Sequence, residues 1–140
     1  MSLQPDDYEQ IRQLLGRYNF AIDFGHIDDW VETFIPEGTF SCVGLPDGAP
    51  LGGKHHGETG LRAYAESHFA INQGRARHWN WNLVIEGSGD TATMQSYLNA
   101  HSAGQGDSAV LRATGVYRDR LSRTESGWKF VEREVTIDPA

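Results

Sequence analysis

Apolar residues recur at spacings of three and four from Tyr8 through Ile11, Leu15 and Tyr18 to Ile22, with Leu14 beside them. That is the period of one helical face. Pro5, Asp6 and Asp7 supply start chemistry and Gly25 a stop, which predicts a helix over 5–24. A second, short helix is predicted to begin at Asp28 or Asp29, carry Trp30, Val31 and Phe34 on one side, and end in a turn at Pro36 to Gly38. A strand is expected over 39–43. The stretch 44–60, rich in Gly and Pro, reads as a mobile loop long enough to act as a lid or binding loop. A third helix follows near 61–71.

The pattern then changes period. Strands are predicted near 77–86, 91–102, 110–122 and 128–137, separated by turn chemistry at Gly87-Ser88-Gly89-Asp90, Gly104-Gln105-Gly106-Asp107 and Ser126-Gly127. Helices first and an antiparallel meander afterwards, without βαβ alternation or a glycine fingerprint, define an α+β class and argue against a dinucleotide-binding fold. No repeat or interdomain linker interrupts the chain, so 1–140 reads as one domain.

Strand parity sorts the side chains into faces. In the first long strand His78, Asn80, Asn82 and Val84 share one face, while Arg77, Trp79, Trp81, Leu83 and Ile85 share the other. If the tryptophan face were the core, His78 would point to solvent. If instead a curved sheet encloses a partly polar pocket under the helices, His78 points inward and Trp79 and Trp81 lie outside, against another subunit. Parity alone does not choose.

Charge narrows the partners. The net charge is −7, and all of it arises in residues 1–50, since the remaining acids and bases cancel. Such a field repels phosphate backbones and anionic membrane surfaces, leaving a neutral or weakly charged organic ligand as the best candidate. The longest apolar runs fall short of the roughly 18–20 residues that span a bilayer, and the N-terminus lacks the pattern of a signal peptide, so a cytoplasmic location is expected. Lone Cys42 excludes an internal disulfide. His55-His56 are adjacent, and no HxH, HExxH or cysteine cluster occurs, so neither a metal nor another cofactor is expected.

The segments RYNFAID, FGHIDDWVETFIPEGTF, RHWNWNLVIEGSGDTATMQSYL and TGVYRDRLSRTESGWKFVEREV, in that order and spacing, resemble the SnoaL-like branch of the nuclear transport factor 2-like superfamily over nearly the whole chain. The resemblance implies a cone in which three N-terminal helices pack into a strongly curved antiparallel sheet around a deep pocket. It also implies a homodimer or homotrimer contact through the outer sheet face. Relatives include polyketide cyclases, scytalone dehydratase, a dehydrochlorinase, limonene epoxide hydrolase and ketosteroid isomerase, alongside noncatalytic small subunits of ring-hydroxylating dioxygenases. Fold alone therefore underdetermines chemistry. By resemblance, Asp23 falls at the helical Asp and His78 at the strand His of the dehydratase and dehydrochlorinase subgroup, where they form a dyad. Ile22 stands where that dehydratase carries tyrosine, a departure from its pattern.

The dyad also has a physical rationale. Asp23 lies on the flank of the first helix's apolar stripe, where it can border a pocket. A carboxylate bonded to one imidazole nitrogen fixes the tautomer and leaves the other nitrogen to take a proton. The competing structural role has Asp23 capping the turn at Phe24-Gly25-His26 and His78 satisfying a core hydrogen bond. Around the pair, Tyr18, Asn82, His101 and Arg133 are candidates to orient substrate or stabilise charge, with Trp30 and Phe34 as apolar walls. For Arg133 the alternative is a rim pairing with Glu132 or Glu134. Taken with the resemblance, these residues imply a cofactor-independent lyase or isomerase of the SnoaL-like type that abstracts a proton from a mainly apolar cyclic molecule. The alternative is a noncatalytic module, either a ligand-binding protein or an assembly subunit; a catalytic protein should enclose the dyad in a cavity, whereas a structural subunit should have a filled interior.

Overall fold

The computed structural model describes residues 1–140. Helix α1 runs Pro5–Phe24, α2 Ile27–Glu32 and α3 Gly57–Asn72. The strands are β1 Phe34–Val43, β2 Gly53–His56, β3 Ala76–Ser88, β4 Thr91–Ser102, β5 Val110–Thr124 and β6 Gly127–Ile137. They form one six-stranded sheet in the order β2-β1-β6-β5-β4-β3, antiparallel throughout except for the β1–β6 pair. The helices cover its concave face, giving the curved α+β cone of the nuclear transport factor 2-like fold.

Helix α1 occupies the span its periodicity predicts. Its start is fixed by Asp7, whose carboxylate accepts the Gln4 backbone N–H at 2.8 Å and is held from the far end of the sheet by Arg123 at 2.8 Å and the Trp128 indole at 3.2 Å. Its stop is Gly25 at φ 74°, where a Cβ would lie 2.5 Å from the Phe69 ring. Both the left-handed backbone and the close approach require glycine. The aromatic centre of the core joins Tyr18, Trp30, Phe34, Phe40, Tyr64 and Phe130 in tilted and edge-on contacts 4.7–6.1 Å apart.

Three expectations are corrected. Phe34 opens β1 rather than closing α2, and Pro36 to Gly38 form an irregularity within β1, between the Phe34↔Phe130 and Thr39↔Glu132 pairs, rather than a turn ahead of it. The stretch 44–60 is not one long loop: β2 pairs with β1 through Thr39↔His56 to Cys42↔Gly53, and α3 begins at Gly57. Asn82 does not share the face of His78. Asn82 and Leu83 together oppose one residue of β4, and Asn82 adopts φ 56°. This bulge reverses the parity beyond Trp81, so Leu83 and Ile85 pack on the core while Val84 is 45% exposed.

Candidate functional site

Helix α1 delivers Asp23 to β3 in its last turn. Strand β3 is an edge strand, so every other backbone N–H points away from the sheet and needs a partner. Asp23 supplies one: its Oδ2 accepts the His78 backbone N–H at 3.0 Å, and its Oδ1 accepts the His78 ring Nδ1–H at 2.5 Å. One turn earlier Asn19 donates to the Asn80 side chain at 2.8 Å, so the same helix grips the strand at two inward positions. Because the carboxylate only accepts, the Nδ1 hydrogen bond places the ring proton on Nδ1. Nε2 has no partner within the protein. The two side chains are nearly buried, 7% and 13% exposed.

His78 borders a cavity of about 390 Å³, with Asp23 behind it. Twelve of its 19 lining residues are hydrophobic, among them Tyr64 from α3, Leu98 from β4, Val135 from β6, and Leu45 and Leu51 from the β1–β2 connection, so a ligand would meet a mostly apolar wall. The cavity's histidines are His68, His78 and His101. His68, on α3, is buried, its ring centroid 5.2 Å from that of His78. Burial, reinforced by His78, pulls its pKa down to about 3, so it is neutral in the folded protein at neutral pH. Its Nδ1 has no partner.

Of the residues singled out from sequence, Asp23 and His78 meet and His101 lines the same cavity. The others lie elsewhere. Tyr18, Trp30 and Phe34 are buried in the core behind the cavity rather than on its wall, and burial pushes the Tyr18 hydroxyl up to about 12. Asn82 faces solvent because of the bulge. Arg133 does point inward, but it is fully buried, bonds Asp119 at 2.8 and 3.3 Å, and is stacked by Tyr18, Tyr117 and Phe130. It pairs with neither Glu132 nor Glu134 and does not reach the cavity. Burial opposes its charge, but Asp119 and the two tyrosines hold its pKa above the ordinary arginine value. The pair is internal scaffolding under the sheet.

Sequence reasoning missed His68, Arg75 and Arg112, all on the cavity wall. A signal existed for His68, which shares the buried face of α3 with Leu61, Tyr64 and Ala65. A polar residue on an apolar stripe has a specific environment. Cys42 also borders the cavity, with its thiol pushed up to about 11 by burial and hence unreactive at neutral pH. No three His, Cys, Asp or Glu side chains cluster closely enough to hold a metal ion.

A curved sheet roofed by helices, with a polar dyad at the edge of an apolar cavity, defines a small-molecule-binding or catalytic protein of the nuclear transport factor 2-like superfamily. Within it, the chain belongs to the SnoaL-like domain family, whose pattern matches residues 4–134. It is similar to a Nostoc punctiforme protein of unknown function with a cystatin-like fold, at 22% identity over 100% of this chain and 97% of that one, TM-score 0.86. A proposed aromatic ring hydroxylase from Novosphingobium aromaticivorans is 27% identical over 96% and 91% of the two chains, TM-score 0.80. A proposed dehydratase of the same superfamily from Streptomyces avermitilis is 20% identical over 98% and 100%, TM-score 0.77. No curated protein sequence matches the chain.

Proposed function

We propose that this protein is a cofactor-independent lyase or isomerase in which His78, oriented by Asp23, removes a proton from a mainly apolar cyclic substrate. The observation that carries this reading is the Asp23–His78 contact at the wall of an apolar cavity, with Nε2 left unpartnered. Nε2 takes a proton from a carbon beside a carbonyl, and the Asp23 carboxylate stabilises the imidazolium that forms. The electron pair left on carbon delocalises into the carbonyl. It then either expels a leaving group from the neighbouring carbon, as in dehydration, or is reprotonated at another position, as in isomerisation. His68, neutral and beside His78, is positioned to donate a hydrogen bond to the carbonyl oxygen as it becomes negative; a neutral imidazole serves this role without being able to quench the base by proton donation. An assembly subunit would be expected to fill its interior, so the 390 Å³ cavity favours a protein that takes up a small molecule over an assembly subunit. The superfamily's putting of diverse chemistry into one cone leaves the leaving group open to experiment.

The test is solvent exchange. A panel of cyclic ketones and β-hydroxyketones incubated with the protein in deuterated water should incorporate deuterium beside the carbonyl. Asp23→Asn and His78→Ala should each slow incorporation by about 10²- to 10⁴-fold. Equal exchange in wild type and both variants would sink the proposal.

We also propose that the protein self-associates through the outer sheet face, where Trp79, Trp81 and Tyr97 are each at least half exposed.

A further inference from the structure

The cavity's charge does not match the protein's. In a chain of net charge −7, the 19 residues around the cavity include two arginines and no carboxylate. Six arginines form no ion pair, and of these Arg75 and Arg112 are the two that line the cavity. Arg75 has only a long 3.5 Å contact with the neutral Gln105 amide, and its Nε is buried without a partner. The Nδ1 of His101 is likewise buried and unpartnered.

Strand order brings the three together. Strands β3, β4 and β5 are neighbours, and at this end of the sheet Arg77 pairs with His101 and His101 with Leu111. Arg75 sits at the mouth of β3, its carbonyl accepting the Ala103 N–H at 2.7 Å. Arg112 is the extra residue of a bulge between the Ala100↔Ala113 and His101↔Leu111 pairs, and a bulge re-aims the side chain it carries. Two guanidinium groups on one cavity wall with no carboxylate facing them, one with a buried unpartnered Nε, form an arrangement that an anion completes by charge-assisted, bidentate hydrogen bonds.

We propose that Arg75 and Arg112, with His101 beside them, form a carboxylate-binding subsite at the mouth of the cavity, so that the substrate is an apolar ring compound bearing a carboxylate. This rests on the reading of the cavity as the substrate site and makes the preferred ligand charged, a departure from the neutral or weakly charged ligand expected from net charge. Overall charge governs the distant field, whereas a ligand already in the cavity meets the unpaired arginines within it. The carboxylate end is held at the mouth, and the ring extends along the apolar wall towards His78.

Naphthylacetate and its neutral amide, naphthylacetamide, share a ring and differ in charge, so calorimetric titration of the full-length protein with each isolates the subsite. The acid should bind at least about tenfold more tightly than the amide, with the difference shrinking as salt is added. Arg112→Gln, at an exposed side chain, should fold normally and lose most of the preference; Arg75→Gln should do the same, and Arg75→Lys should restore part of it. His78→Ala should keep the preference, because the dyad moves protons and does not hold the carboxylate. Acid bound no more tightly than amide, no measurable acid binding, or a preference untouched by Arg112→Gln would overturn the subsite. None of these results bears on the deuterium exchange of neutral ketones, so the two proposals fail separately.

Discussion

His68 is held neutral by its surroundings rather than by a partner, and this has a cost that depends on pH. The folded protein excludes the proton until pH nears 3, whereas the unfolded chain takes it up near 6.5. Between those values the unfolded state binds more protons, so stability is fully present above about pH 6.5 and declines as pH falls towards 3. The slope for one proton approaches about 1.4 kcal/mol per pH unit. His68→Phe, which keeps the ring and removes the titration, should flatten the urea-denaturation midpoint across this window relative to wild type. Superimposable pH profiles would mean that the folded protein accommodates a protonated His68. Residue by residue, the legible parts of the site were those whose role is local. Asp23 on the flank of a clean stripe was readable, whereas parity left open which face of β3 carries His78, and only the curved sheet under the helices turns that face inward. For Arg133 the sequence left an inward position and a rim pairing open, and only the fold places Asp119 on the adjacent strand to receive it.

At the scale of elements, bulges decide what parity cannot. The β3 bulge puts Asn82 at φ 56°, a conformation that asparagine tolerates and a β-branched residue does not. Asn82→Val should therefore destabilise the protein by about 1–2 kcal/mol in chemical denaturation, and Asn82→Gly should be neutral or slightly stabilising. Equal stability of the Val and Gly variants would show that the left-handed position is not held in solution. Elements with strong periodicity or explicit caps were legible from sequence: α1 ends where Gly25 requires, and the β3–β4 hairpin turns at Gly89-Asp90. Strand β2 was not, because four residues in a Gly-rich stretch acquire strand character only from pairing with β1. The start of β1 was hidden for a related reason. Trp30, Val31 and Phe34 have helical spacing, yet the chain leaves the helix after Glu32 and brings Phe34 into the same aromatic cluster by another route. Bulges lie between strands, in a register that neither partner's sequence contains alone.

The whole molecule has a sheet whose two faces are finished differently. The concave face is covered by helices and carries the cavity. On the convex face Trp79, Trp81, Tyr97 and Val84 are 45–53% exposed, adjoining a polar field with Arg118 and Arg120 on β5 and Glu132 and Glu134 on β6. Large aromatics left half exposed side by side mark a contact surface more often than a solvated one. A two-fold contact in which the tryptophans meet would use one patch on both partners, with the charged rows, already cross-strand neighbours within one chain, at its rim. In the proposed assembly, apolar contact would supply most of the association energy and the rim charges would fix orientation. Sedimentation analysis of wild type should therefore give a mass of two or three protomers, and Trp79→Ser with Trp81→Ser should shift the protein to monomer without loss of folded signal. Arg118→Glu with Arg120→Glu should weaken association and reduce its salt dependence. Since Trp79 also stacks on His101 at 4.3 Å, the contact and the cavity mouth share a wall, and the dissociated double variant should bind the carboxylate probe less tightly than wild type. A wild-type protein that sediments as a monomer at all concentrations would remove the assembly role of this face and leave Trp79 as a support for His101 alone.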